Sequence, residues 1–313
     1  MNLIVRAISI ASVISMISCG QELLQRRTSQ TTPESNINLQ LINASVADLK
    51  DFPASVIADS NGSACTATIV GPKVLMIASH CIKHDAPVIF KADNKSYSGT
   101  CSQSSLYRQG VDHDLAFCRL DKKVENVPYE VVNIDPDLVQ VGSKLLLSGF
   151  GCRKSGGIGG ADGQYRIGET QVSRLPNRLS YDIMTENGGA LCYGDSGGPA
   201  FLYTDDQKLN RVVVSVNSKG NMSNESYLTS TSSDASIKFI KGWSGYFQLK
   251  ICGVHKGVEG CRADSAAELS VACESLTDSD FDSWKSCLNS AIVETKCTAV
   301  RKKINACVYS KAW

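Results

Sequence analysis

Gly194-Asp195-Ser196-Gly197-Gly198-Pro199 places one serine in a turn made largely of the smallest residue, with a carboxylate before it and two glycines after it. Glycine lets the backbone bend sharply and approach a ligand closely. A turn of this kind can aim neighbouring N–H groups at one point, as a developing oxyanion requires. A hydroxyl is a weak nucleophile at neutral pH unless a base takes its proton. The hexapeptide therefore sets a question for the rest of the chain: where are the base and the group that orients it?

Four histidines are available, His80, His84, His113 and His255. His80 closes the apolar, strand-like run Val74-Leu75-Met76-Ile77-Ala78-Ser79-His80-Cys81. His84 lies just past that corner and reads as a solvated loop residue, and His255 lies far along the chain. A carboxylate that orients an imidazole and stabilises its cation is offered by Asp114-Leu115-Ala116-Phe117, where an aspartate opens an apolar run. Asp112 is the rival, on the same side of a strand by alternation. Asp114 is preferred because the apolar run begins directly after it, and His113 then faces the other way.

These three segments together resemble the trypsin-like (chymotrypsin-fold) serine proteases. The hexapeptide is similar to their nucleophile loop, Ala78-Ser79-His80-Cys81 to their Ala-Ala-His-Cys, with Ser79 in place of alanine, and Asp114-Leu115-Ala116 to their Asp-Ile/Leu-Ala. The chain order His, Asp, Ser separates this family from subtilisins and α/β-hydrolases. The resemblance implies His80, Asp114 and Ser196 as catalytic residues and the N–H groups of Gly194 and Ser196 as the oxyanion hole. It implies hydrolysis of peptide bonds in protein or peptide substrates through an acyl-enzyme, with no cofactor and no metal. It also implies a disulfide between Cys65 and Cys81. Cys101–Cys118 and Cys152–Cys192 are pairings tried for the remaining cysteines of that region; spacing alone leaves the connectivity open. The competing class is an inactive protease-like binding protein, which would keep the scaffold and lose a triad member or a glycine of the hole.

Outward from the motifs, residues 42–245 show short apolar strands, such as Thr66 to Val70, Val74 to Ile77, Lys144 to Leu147 and Val212 to Val216, between Gly, Asn, Asp and Ser turns. That pattern predicts a mainly β sandwich or barrel. The resemblance narrows it to two six-stranded antiparallel β-barrels with the site in their seam. Gly156-Gly157-Ile158-Gly159-Gly160 falls where the family has a mobile surface loop, and no nucleotide motif follows it.

Residues 1–19 read as an export signal. Arg6 supplies the positive start, and the uncharged stretch from Ala7 to Ser18 is too short to span a bilayer. Ser18-Cys19 resembles a bacterial lipobox, with Met16 in place of the usual leucine, so Cys19 is the expected lipidation site; a plain signal peptide is the alternative. Of thirteen cysteines, lipid on Cys19 would leave six in the protease-like region and six in the tail, as two cross-linked modules in an oxidising compartment require. Residues 20–41, rich in Gln, Thr, Ser and Asn, read as a linker or propeptide.

Ile42 resembles the family's mature N-terminus, whose freed amino group would pair with Asp195 after cleavage by an activating protease. With no cysteine in 20–41, cleavage there would free the enzyme from its lipid anchor, its only link to a membrane.

Removing the three basic and two acidic residues of 1–41 from totals of 32 and 31 leaves 29 of each. A neutral mature chain argues against electrostatic capture by nucleic acid or anionic membranes. Residues 250–313 contain apolar positions at mixed three and four spacings and six cysteines, and predict a small disulfide-rich helical module, with targeting or adhesion as the alternative reading of its role. In the family, the residue six before the nucleophile, here Ala190, floors the specificity pocket. Ser215-Val216-Asn217 resembles the Ser-Trp-Gly wall, making Ser215 and Asn217 the expected pocket residues and an uncharged, small-to-medium side chain the expected one before the scissile bond.

Overall fold

The computed structural model describes residues 41–82, 87–107, 113–152, 162–177, 180–203 and 208–262. The signal and lipobox readings on residues 1–19, His84, Asp112, the glycine stretch 156–160 and most of the C-terminal module fall outside them.

A short first strand, β1 (Ser45–Val46), pairs with a strand far along the chain. Then comes a run of six: β2 (Ser55–Ser60), β3 (Ser63–Gly71), β4 (Val74–Ile77), β5 (Pro87–Ala92), β6 (Lys95–Gln103) and β7 (Ala116–Leu120). Turn chemistry sets their lengths. Asn61 and Gly62, at φ 55° and 79°, join β2 to β3 in two residues, and Asp93 and Asn94, at 43° and 58°, do the same between β5 and β6. Positive φ at both central positions matches the right-handed twist of the flanking strands. In β5 the alternation puts Val88, Phe90 and Ala92 inside and leaves Ile89 at the surface. The order β2-β3-β4-β7-β6-β5 closes on itself through β2 and β5, so no edge is left open.

The second barrel is built from β8 (Lys144–Gly149), β9 (Arg166–Arg174), β10 (Asp182–Glu186), β11 (Pro199–Tyr203), β12 (Arg211–Gly220) and β13 (Ser226–Ser230). Its ring runs β8-β9-β10-β13-β12-β11 and back to β8, with β1 added on β9. The architecture is therefore two closed six-stranded antiparallel barrels.

The single helix among the described residues, α1 (Asp234–Phe247), follows the second barrel but packs on the first: Phe117 of β7 meets Phe239 at 5.8 Å and Trp243 at 5.3 Å between ring centroids. Ser233 caps its N-terminus by accepting from the Ser236 N–H. It is far too short to cross a membrane, and no described helix can.

Four disulfides are present among the described residues. Cys65–Cys81, Cys101–Cys118 and Cys152–Cys192 lie within the barrels, and Cys252–Cys261 lies in the stretch that follows α1. That stretch, the start of the segment expected to form a separate module, is docked on the barrels. Cys252 N–H donates to Val70 O at 2.9 Å, and Tyr129 and Arg262 exchange main-chain bonds with Gly260 and Tyr129 at 2.8 Å. Arg262 reaches Asp51 O at 2.6 Å and flanks Glu130, whose carboxylate forms a 2.6 Å ion pair with Arg211. Both side chains of that pair are wholly buried, and the Arg211 guanidinium lies over the rings of Phe52 and Phe201. A charge so deep needs such partners to be tolerated at all.

Candidate active site

His80 sits in a single 3-10 turn, Ser79–Cys81, directly after β4. Three devices fix that turn. Cys81 is bonded to Cys65 of β3, Ser79 Oγ donates to Leu115 O at 2.8 Å, and Gln103 Nε2 donates to Ser79 O and Ile82 O. Ser79 thus ties the histidine turn to the residue next to Asp114.

Asp114 is 7% exposed and accepts three hydrogen bonds. His80 N donates to Oδ1 at 2.9 Å, while the imidazole Nδ1 at 2.6 Å and Ser218 Oγ at 2.7 Å donate to Oδ2. Burial pushes its carboxyl upward, but the hydrogen bonds from His80 and Ser218 and the nearby imidazole outweigh burial and hold it below the ordinary carboxylate range.

Ser196 Oγ donates to Ser218 O at 3.4 Å. His80, Asp114 and Ser196 line one cleft of about 390 Å³ together with Tyr107, Leu191, Tyr193 and Lys219. The nucleophile turn is held from both barrels. Thr66 N–H of β3 donates to Gly194 O and Ser196 O at 3.1 and 3.0 Å, and Gly197 N–H donates to Asn217 O at 2.8 Å. A Cβ on Gly197, at φ 81°, would run into Thr66 O and Ile77 of the first barrel, so this glycine is required by both conformation and space. The N–H groups of Asp195 and Gly198 are used within the turn and that of Gly197 on Asn217 O, whereas those of Gly194 and Ser196 meet no acceptor among the described residues.

Asp195 is fully buried. Gly151 N–H donates to its Oδ1 at 2.8 Å and Cys192 N–H to its Oδ2 at 2.9 Å, and no Lys, Arg or His among the described residues pairs with it. Desolvation raises its pKa to about 7. Ile42, its expected partner, exchanges two main-chain hydrogen bonds with Ala190 instead, at 3.1 and 3.0 Å. The residue before it, Leu41, is 1% exposed.

The expected pocket wall needs correcting. Ser215 and Asn217 are wholly buried within β12 and line no part of the cleft. Asn217 instead supports the nucleophile turn from beneath, its amide donating to Ser148 O and Asp195 O at 2.9 and 3.2 Å. Three residues further on, Ser218, Lys219 and Gly220 face the cleft. Ser215 and Ser218 lie in one strand, and it is Ser218 that reaches the cleft and bonds Asp114. Ala190 is also fully buried, behind Leu191 and Cys192, which do line the cleft. Two contributors were not anticipated, Ser218 and His113. His113 is buried beside Asp114, and His255 lies away from the cleft, its Nδ1 accepting from Ile251 N–H.

A family model described as Trypsin matches residues 42–240. Serine protease SP24D of Anopheles gambiae is 25% identical over 184 residues, covering 52% of this chain and 68% of that protein. Among solved structures, human heparin binding protein is similar with TM-score 0.52 and 17% identity, covering 64% of this chain and 94% of that one. A mutant of it (CAP37) gives TM-score 0.53, also at 17% identity, covering 65% and 96%.

Proposed function

The chain belongs to the trypsin family, and from that premise we propose that it is a serine endopeptidase acting through an acyl-enzyme. Its supporting observation is the hydrogen-bonded group His80–Asp114–Ser218 in the same cleft as Ser196. His80 takes the Ser196 proton as the hydroxyl attacks the peptide carbonyl, and Asp114 holds the imidazole with its proton on Nδ1. The N–H groups of Gly194 and Ser196 receive the oxyanion, and His80 then protonates the leaving amine. Water completes deacylation. With Ala190 where a carboxylate would be needed to recruit Lys or Arg, cleavage follows uncharged, small-to-medium residues.

The test is labelling of the cut, oxidised chain with a fluorophosphonate, with the adduct located by peptide mapping. Label on Ser196 is expected. A folded chain that takes none would support the competing binding-protein reading.

Activation is the second part of the proposal. The exported precursor carries its leader on residues 1–19 and lipid on Cys19, and cleavage near Ile42 by another protease frees an amino group for Asp195. The Ile42–Ala190 bonds already use the Ile42 N–H, which favours a cut one residue earlier, before Leu41. N-terminal sequencing of active enzyme decides between the two, and lipid retained on the active chain would contradict release.

The uncut chain should also show a distinctive pH dependence. Asp195 binds its proton more tightly folded than unfolded, so its contribution is fully present below about pH 4 and is lost as pH rises through about 7. Uncut protein should be less stable at pH 8 than at pH 5 by roughly 3 kcal/mol from this group alone. Asp195→Asn should remove that difference. Urea unfolding of the uncut chain at the two pH values is the check, and an equal slope in both proteins would refute it.

A further inference from the structure

His113 is 1% exposed, carries a positive φ of 39°, and immediately precedes Asp114. Its ring sits edge-on to Tyr181 and Phe239 at 5.1 and 6.2 Å. Both ring nitrogens are engaged, Nδ1 with Ser104 Oγ at 2.6 Å and Nε2 with Ser236 Oγ at 2.8 Å. Counting protons fixes the tautomer. Ser236 Oγ spends its own proton on Ser230 O and already accepts from Ser233 Oγ. Its remaining lone pair must accept from His113, so the imidazole carries its proton on Nε2. Nδ1 is then an acceptor for the Ser104 hydroxyl, whose oxygen in turn accepts from Leu106 N–H. Every position is filled by a neutral ring. Burial agrees, since it pushes the imidazole pKa down to about 4 despite the adjacent Asp114.

The bonds span the molecule. Ser104 follows β6 of the first barrel, whereas Ser236 lies in the first turn of α1, which follows the second. Between them, Leu115 N–H donates to His113 O at 2.8 Å, closing a three-residue turn centred on Asp114. The far end of that turn is held by Ser104 N–H on Leu115 O at 3.0 Å. A turn this tight has little slack, so where the His113 ring is pinned decides where the Asp114 carboxylate points.

We propose that His113 is a positioning residue for Asp114, its neutral imidazole clamped between Ser104 and Ser236 so that the carboxylate meets His80 and Ser218 together. The proposal rests on the protease reading, in which Asp114 serves His80. It acts on turnover rather than on substrate binding, because a misplaced orienting group costs rate steeply. His113→Ala should lower kcat by about 30-fold with KM within about twofold. His113→Gln, whose longer amide can still donate toward Ser236, should recover kcat to within about threefold of wild type.

The decisive measurement is a double-mutant cycle with Asp114→Asn, each variant normalised to active sites by fluorophosphonate titration. If His113 acts through Asp114, His113→Ala should cost less than about threefold in the Asp114→Asn background. An equal factor in both backgrounds, or a loss carried wholly by KM, would overturn the proposal. Should His113→Ala fail to fold, Ser236→Ala, which keeps the ring and its Ser104 bond, is carried through the same cycle under the same criteria. A wild type that neither labels nor turns over would remove the protease reading and this proposal with it. An active wild type indifferent to these changes would remove this proposal alone.

Discussion

Ser196→Ala should reduce peptide hydrolysis by about 10⁶-fold while leaving the fold intact. The side chain contributes one long hydrogen bond, 3.4 Å to Ser218 O, and nothing else in the structure depends on it. Its turn is held through main-chain groups, Thr66 N–H on Gly194 O and Ser196 O and Gly197 N–H on Asn217 O, all of which alanine retains. The stability change should therefore stay within about 0.5 kcal/mol. His80→Ala should cost a similar factor, and the double variant little more, because base and nucleophile act as one unit. Residual turnover of about 10³-fold or more over the uncatalysed rate should survive in all three, carried by the Gly194 and Ser196 N–H groups. Steady-state assays on the cut chain, with thermal unfolding alongside, provide the check. A Ser196→Ala variant within tenfold of wild type would place the chemistry elsewhere.

Asp114→Asn should lower kcat by about 10⁴-fold, and the reason can be read from which oxygen binds what. Oδ1 accepts from the His80 main-chain N–H and must remain an acceptor, so the asparagine amide nitrogen is forced into the place of Oδ2. Oδ2 now faces His80 Nδ1 and Ser218 Oγ. An NH₂ there donates to Nδ1 and drives the imidazole proton to Nε2, the nitrogen required to accept the proton of Ser196. Geometry is kept and the tautomer is reversed. Stability should respond as well. Because Asp114 is held below the ordinary carboxylate range, it stabilises the fold above its unfolded pKa, and that contribution is lost as pH falls through the folded value. Asp114→Asn should thus flatten the acid limb of stability. A kcat within about tenfold of wild type would contradict the assigned role.

The parts of this site that could be read from sequence are those whose function depends on local backbone shape. Only glycine serves at 197, where the turn needs a positive φ and a Cβ would strike Thr66, so the hexapeptide announces itself. Short apolar strands between Gly, Asn, Asp and Ser turns are local too; they point to a β sandwich or barrel, which the family resemblance narrows to two barrels. What escaped is what depends on contacts across the chain. Ser215 and Ser218 lie in one strand, and which of them meets Asp114, more than 100 residues earlier, is decided by how β12 passes under the nucleophile turn. His113 was expected to face away from Asp114 because alternation assumes an extended strand. The chain there is in a left-handed, three-residue turn, and the ring is carried inward. The stretch around Cys252 and Cys261 was grouped with the tail because cysteine spacing counts partners without showing which surface they dock on. That surface is supplied by Val70, Tyr129 and the buried Glu130.

The grip of Thr66 on the nucleophile turn also orders events in time. A chain emerging amino terminus first has its base and orienting carboxylate in hand by residue 114, yet the serine is the 196th residue, Ser218 comes later and the helix that pins His113 later still. Gly194, Ser196 and Gly197 rest against Thr66 and Ile77 of the first barrel. On the protease reading, a nascent or half-folded chain lacks a complete site, because Ser196, Ser218 and the helix that holds His113 are made after the base.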